Sequence, residues 1–132
     1  MTQFATYADL LNAITDESGR DILNPATGEV VGRAPENTVE DLNAAVDAAR
    51  AAQKDFAKLS DEERCGLLTK AAAAIEANAE VLAELLSREQ GKPLNGPNAR
   101  FEVGACSAWL NATASFEPVS YTHLTLPTIC SV

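Results

Sequence analysis

Three cysteines, one histidine and several carboxylate clusters are the residues whose types could do chemistry in this sequence of 132 residues. A thiolate attacks carbonyl carbon when a neighbouring base or cation activates it. Cys65 and Cys106 are the first candidates for that role. Neither has a His or a glycine-rich loop beside it in sequence, and both fall inside expected helices, so both read as packing or surface thiols. The three cysteines are odd in number, widely spaced and free of any CxxC pair, which excludes a disulfide scaffold and a zinc site. Reduced thiols in a cytoplasmic setting fit better. Lys92, in Gly91-Lys92-Pro93, invites comparison with a phosphate-binding lysine. A phosphate loop needs Gly-x-x-x-x-Gly-Lys and then Ser or Thr after a strand, and that pattern is missing, so Lys92 reads as part of a helix-terminating loop. Glu40-Asp41 and Asp61-Glu62-Glu63 resemble metal-ligand clusters, but acids in the first turn of a helix already answer the helix dipole. The expected list of catalytic, cofactor-binding and metal-ligating residues is therefore empty.

The elements that would position such residues follow from composition and spacing. With 46% hydrophobic and 22% charged residues, the chain is of a globular class, and its length suits one domain. Alanine is abundant and aromatics are scarce, which favours helices over a sheet sandwich. A formal charge of −9 argues against nucleic acid and against anionic membranes. The N-terminus shows no basic-then-apolar signal pattern, and no apolar run reaches membrane-spanning length.

Tyr7 to Ile14 reads as a weak amphipathic turn or helix that Ser18-Gly19 ends. Ile22-Leu23 and Val30-Val31 flank Asn24-Pro25-Ala26-Thr27-Gly28, where Pro presets φ and Gly accepts a positive one. This predicts a β-hairpin over about 21–33, which should lie against another element because two strands alone are marginal. Thr38 opens a helix with an acid three residues on, and Val39, Leu42, Val46, Ala49 and Phe56 share its apolar face. Ser60 with Glu63 forms a second capping box, before Leu67, Leu68, Ala71, Ala72 and Ile75. Asn78 is expected to cap a further helix carrying Val81, Leu82, Leu85 and Leu86, and whether the two helices are one bent rod stays open. Gly91 suits a left-handed stop, which Pro93 enforces. A last helix over about 98–115 carries Phe101, Ala105, Ala108, Trp109 and Ala112 in one stripe. Its small residues Gly104, Ala105, Ala108 and Ala112 would let a neighbour approach closely, and both the hairpin and this helix read as made to lie on a sheet that this sequence does not contain. Three or four helices are thus expected between 38 and 116.

Four of these segments, in order, resemble the opening of the aldehyde dehydrogenase superfamily: Asn24-Pro25-Ala26-Thr27-Gly28-Glu29 and the strand and helix after it; Asp61-Glu62-Glu63-Arg64 to Leu68; Glu89-Gln90-Gly91-Lys92-Pro93-Leu94; and Glu102-Val103 with its aromatic-containing helix. The resemblance spans roughly residues 20 to 117. It implies a mainly α segment with an N-terminal β-hairpin, part of a larger α/β fold with a Rossmann-like NAD or NADP domain. It further implies a cytoplasmic homo-oligomer acting on a small-molecule aldehyde. In that family a cysteine thiolate attacks the aldehyde, hydride passes to the nicotinamide, and a glutamate activates the hydrolytic water. The family's Gly-Gln-x-Cys loop, its general base, its oxyanion asparagine and its Gly-x-x-x-x-Gly turn are not found in this sequence. The expectation is an N-terminal fragment, 1–117, that is inactive alone and binds no cofactor.

Residues 118–132 hold no Lys, Arg, Asp or Glu, yet carry the single His123 and the third cysteine, Cys130. This stretch resembles translated sequencing-adapter sequence, so His123 and Cys130 are not read as a catalytic pair. A standalone helical protein-interaction module is the competing reading of the whole chain.

Overall fold

A computed structural model describes residues 2–116. In chain order it runs α1 (Tyr7–Ile14), β1 (Arg20–Leu23), β2 (Val30–Ala34), α2 (Val39–Phe56), α3 (Asp61–Ala77), α4 (Ala79–Gln90) and α5 (Ala99–Ala114). The mainly α segment with an N-terminal hairpin is what the sequence leads one to expect. The uncharged stretch 118–132, with His123 and Cys130, lies outside the described residues.

Local chemistry starts three of the helices. The Thr38 hydroxyl accepts from the Asp41 N–H, while the Asp41 carboxylate accepts from the Thr38 N–H at 2.8 Å. Ser60 and Glu63 repeat the arrangement for α3, and Thr6 with Asp9 does so for α1. Each box satisfies backbone donors that a first turn otherwise leaves unpaired. The box at Thr6 turns the weak stretch of the sequence into a defined helix with Leu10 buried beneath it.

The hairpin is antiparallel, pairing Arg20 with Ala34, Asp21 with Arg33, Ile22 with Gly32 and Leu23 with Val30. The register slips between Ile22 and Leu23, leaving Val31 as the extra residue of a bulge. Its turn closes on Asn24, whose C=O accepts from the Gly28 N–H at 2.7 Å and whose side chain accepts from Ala26 N–H at 2.9 Å. Gly28 has φ 77°, the left-handed value expected of it. Arg33 pairs across the strands with Asp21 at 2.8 Å and donates to the Glu17 carbonyl.

Two close approaches seat the hairpin on the helices. A Cβ on Gly32 would stand 2.8 Å from Leu11 Cδ1 of α1. A Cβ on Gly91, just past α4, would stand 2.8 Å from Pro25 Cγ of the turn. Gly91 also has φ 65°, so it is both the left-handed stop of α4 and the socket for the proline.

The core lies where α5 packs on α3 and α4. It is built from small side chains: Ala72 on α3 is almost fully buried, and Ala83, Ala99 and Val103 form one buried cluster. Ile75, Ala79, Leu82, Leu86 and Leu94 pack around this cluster, half-covered. No large side chain is fully enclosed among the described residues.

One expectation needs correction, and two apolar faces stand uncovered. Asn78 stands at the joint between α3 and α4, which are two helices, but its side chain makes no cap bond. It accepts from the Phe4 N–H at 2.8 Å and donates to the carbonyls of Thr2 and Ala74, fastening the N-terminal segment to the joint. On α5 the buried residues are Ala99, Val103 and Ser107. The aromatics of the expected stripe stand uncovered, Phe101 at 63% and Trp109 at 72% exposed, and a Cβ on Gly104 would meet nothing within 4 Å, while Ala105 and Ala112 are half-buried. The apolar stripe of α2 is likewise uncovered, with Val39 at 68% and Leu42 at 62%, and α2 packs substantially on no other described element.

The two kinds of glycine make a paired prediction. Gly91→Ala combines an unfavourable φ with a collision against Pro25, and should destabilise the chain by about 1–3 kcal/mol. Gly66→Ala, in the interior of α3 with nothing within 4 Å of the new Cβ, should stabilise it by up to about 1 kcal/mol. Urea unfolding followed by circular dichroism reads both. Equal effects of the two substitutions would contradict the seating of the hairpin described above.

Candidate functional site

Cys65 sits in the second turn of α3, half-buried in an open groove of about 380 Å³ lined by Phe56, Asp61, Arg64, Leu68, Thr113 and Phe116. An activating cation or base would have to come from Arg64 or Asp61, and these two are paired with each other. Arg64 also donates to the Leu59 carbonyl at 2.8 Å. Cys106 lies on α5 and is exposed. Among the described residues, the charged side chains lining the groove at Cys65 are paired with each other, and the two thiols stand on different helices.

Lys92 is engaged as well. Its Nζ meets Glu102 Oε1 at 2.5 Å, and its carbonyl accepts from the Ser87 hydroxyl at 2.7 Å. The next two carbonyls, of Pro93 and Leu94, accept from the Ala99 and Arg100 N–H groups at the start of α5. The segment Glu89–Leu94 thus stops α4, packs Leu94 on the core and supplies acceptors to α5. Its residues position helices, and the lysine charge is spent on a carboxylate.

The acid clusters resolve in the same way. Asp41 and Glu63 fold back on the N–H groups of Thr38 and Ser60, while Asp61 pairs with Arg64. Among the described residues, no group of three or more His, Cys, Asp or Glu side chains is placed to hold a metal ion. The backbone N–H of Thr38, and then its hydroxyl, hold the Asp41 carboxyl below its ordinary pKa. Ser60 does the same for Glu63, again through its N–H first.

Two long-range pairs carry no signal in the linear pattern. Arg100 reaches from α5 to Glu80 of α4, with contacts of 2.7 and 3.1 Å to one carboxylate oxygen. This bond lowers the pKa of Glu80 and raises that of Arg100. Arg88 of α4 lies 4.8 Å from the centre of the Tyr7 ring while also binding Glu84. Burial is the main cause of a raised Tyr7 pKa; Arg88 opposes it and Glu84 and Glu89 add to it. The spacing of these residues, 20 apart for Glu80 and Arg100, could not have paired them in advance. No helix among the described residues is long and apolar enough to cross a membrane.

Fold and side-chain geometry together define a class first: a hairpin-and-helix unit in which six ion pairs join charged side chains among the described residues. Comparison with known proteins then names the family. The model described as "Aldehyde dehydrogenase family" matches residues 13–126, and this chain belongs to that family. The match is wider at both ends than the roughly 20–117 marked by the motifs, and it passes Glu117 into the uncharged stretch. An aspartate-semialdehyde dehydrogenase (non-phosphorylating) of Halomonas elongata is 44% identical over 89 residues, covering 66% of this chain. Succinate-semialdehyde dehydrogenase NADP(+) 2 of Schizosaccharomyces pombe is 38% identical over 66% of the chain. A 3,6-anhydro-alpha-L-galactose dehydrogenase of Streptomyces coelicolor is 37% identical over 65%. The chain spans only 18% of the length of the first relative and 17% of the other two. No solved structure matches it.

Two measurements check this description. Because the folded-state pKa values of Asp41 and Glu63 are depressed, their contribution to stability is complete above the ordinary carboxylate range and is lost as pH falls through the folded values. Thermal melts from about pH 7 to about pH 3 should therefore show a falling midpoint, and Asp41→Asn should flatten part of that fall. An unchanged acid limb in the variant would remove the helix cap from the explanation. For the thiols, exposed Cys106 should be alkylated before half-buried Cys65 when the native chain is sampled by mass spectrometry. Faster labelling of Cys65 would show it to be activated after all.

Proposed function

We propose that this chain is the N-terminal part of an NAD(P)-dependent aldehyde dehydrogenase whose longer polypeptide oxidises an aldehyde to a carboxylic acid. The observation that carries the reading is the family match over residues 13–126. The short span relative to the curated relatives supports placing these residues within a longer polypeptide. The relatives are named for three different substrates, so the proposal goes no further than an aldehyde. One is named for NADP(+), and both nicotinamide cofactors are retained for the longer protein.

Within that enzyme the residues 1–117 serve as scaffold and supply no catalytic, cofactor-binding or metal-ligating side chain. Supporting this are the engaged states of Lys92, Asp61 and Glu102 among the described residues, Asp61 being paired with Arg64 beside Cys65. The longer protein is a cytoplasmic homo-oligomer, a reading that the unpaired Cys65 and Cys106 suit. The resemblance of 118–132 to translated adapter sequence supports reading that stretch as foreign to the enzyme. The family match through residue 126 pulls the other way for 118–126, and reading the uninterrupted gene past codon 117 separates the two.

The purified chain, mixed with NAD or NADP and a panel of aldehydes, should produce no reduced nicotinamide, while the product of the uninterrupted gene should. Turnover by the chain itself, abolished by Cys65→Ser or Cys106→Ser, would overturn the proposal. A second reading, a standalone helical interaction module, makes the opposite forecast for the uncovered faces of α2 and α5. The scaffold reading expects the chain to bind a hydrophobic dye and to self-associate, because each large apolar side chain left in water forgoes roughly 1.5–3 kcal/mol. Monomeric, cooperative melting without dye binding would favour the module.

A further inference from the structure

We draw no further inference here: the strongest candidate, the uncovered apolar faces of α2 (Val39, Leu42, Val46) and of the outer side of α5 (Phe101, Trp109), carries nothing because nothing in the structure shows what covers them.

Discussion

The fold depends on how closely alanine lets helices approach. Ala72 of α3, Ala83 of α4 and Ala99 of α5 are each at most 1% exposed, and Ala83 and Ala99 form one cluster with Val103 where α4 and α5 pack. A methyl group contributes about as much as one buried CH₂, roughly 0.8 kcal/mol, against 1.5–3 kcal/mol for a buried leucine or phenylalanine. Such a core brings backbones together at the cost of apolar area. The larger side chains Ile75, Leu82, Leu86 and Leu94 are therefore only half-covered, arranged around the contact rather than inside it. The bonds that hold this arrangement in register come from the periphery. Arg100 ties α5 to Glu80, Lys92 ties the preceding loop to Glu102, and Asn78 ties the N-terminal segment to the joint of α3 and α4.

A small core also explains how the hairpin is attached. A pair of strands with Leu23 and Val30 half in solvent cannot hold itself together by burial. It is gripped at two glycines, where the missing side chain admits a neighbour: Leu11 over Gly32 and Pro25 against Gly91. At Gly91 one residue meets two demands, a left-handed φ to end α4 and an open face for the proline. The backbone requirement and the packing requirement coincide, so no other residue type serves both.

How much of this was legible in the sequence depended on range. Capping at Thr38 and Ser60 could be read because both partners lie within three residues. The Thr6–Asp9 box carries the same signal, but the apolar stretch behind it is only eight residues long, so the pattern alone reads as a weak turn. The Gly28 turn and the Gly91 stop were legible for the same local reason. Asn78 was misread because two of the three groups that claim its side chain lie 74 and 76 residues away, on the N-terminal segment. The stripe on α5 shows a subtler limit. Periodicity correctly places Phe101, Ala105 and Trp109 on one face, but it cannot tell which face meets the neighbour. Ala99, Val103 and Ser107 lie on the side that does. Small residues fitted to an alanine surface leave a weaker apolar signal than the aromatics turned outward.

The candidate site follows the same division. The segment Glu89–Leu94 gives the most specific likeness to the family, yet each residue whose role is visible there sets geometry. Gly91 reverses the chain, the Lys92 carbonyl and ammonium bind Ser87 and Glu102, and the Pro93 and Leu94 carbonyls receive the first N–H groups of α5. Geometry of this kind constrains residue types as tightly as catalysis does, because a wrong φ or an unpaired buried donor costs about as much free energy as a lost contact. A sequence can therefore declare its family through residues that set backbone geometry. That is why the motifs in this chain identify the family clearly while Cys65, Cys106 and Lys92, taken one at a time, describe no reaction. What links sequence to family here is the shape that Gly91, Pro25 and the alanine contact impose on the chain.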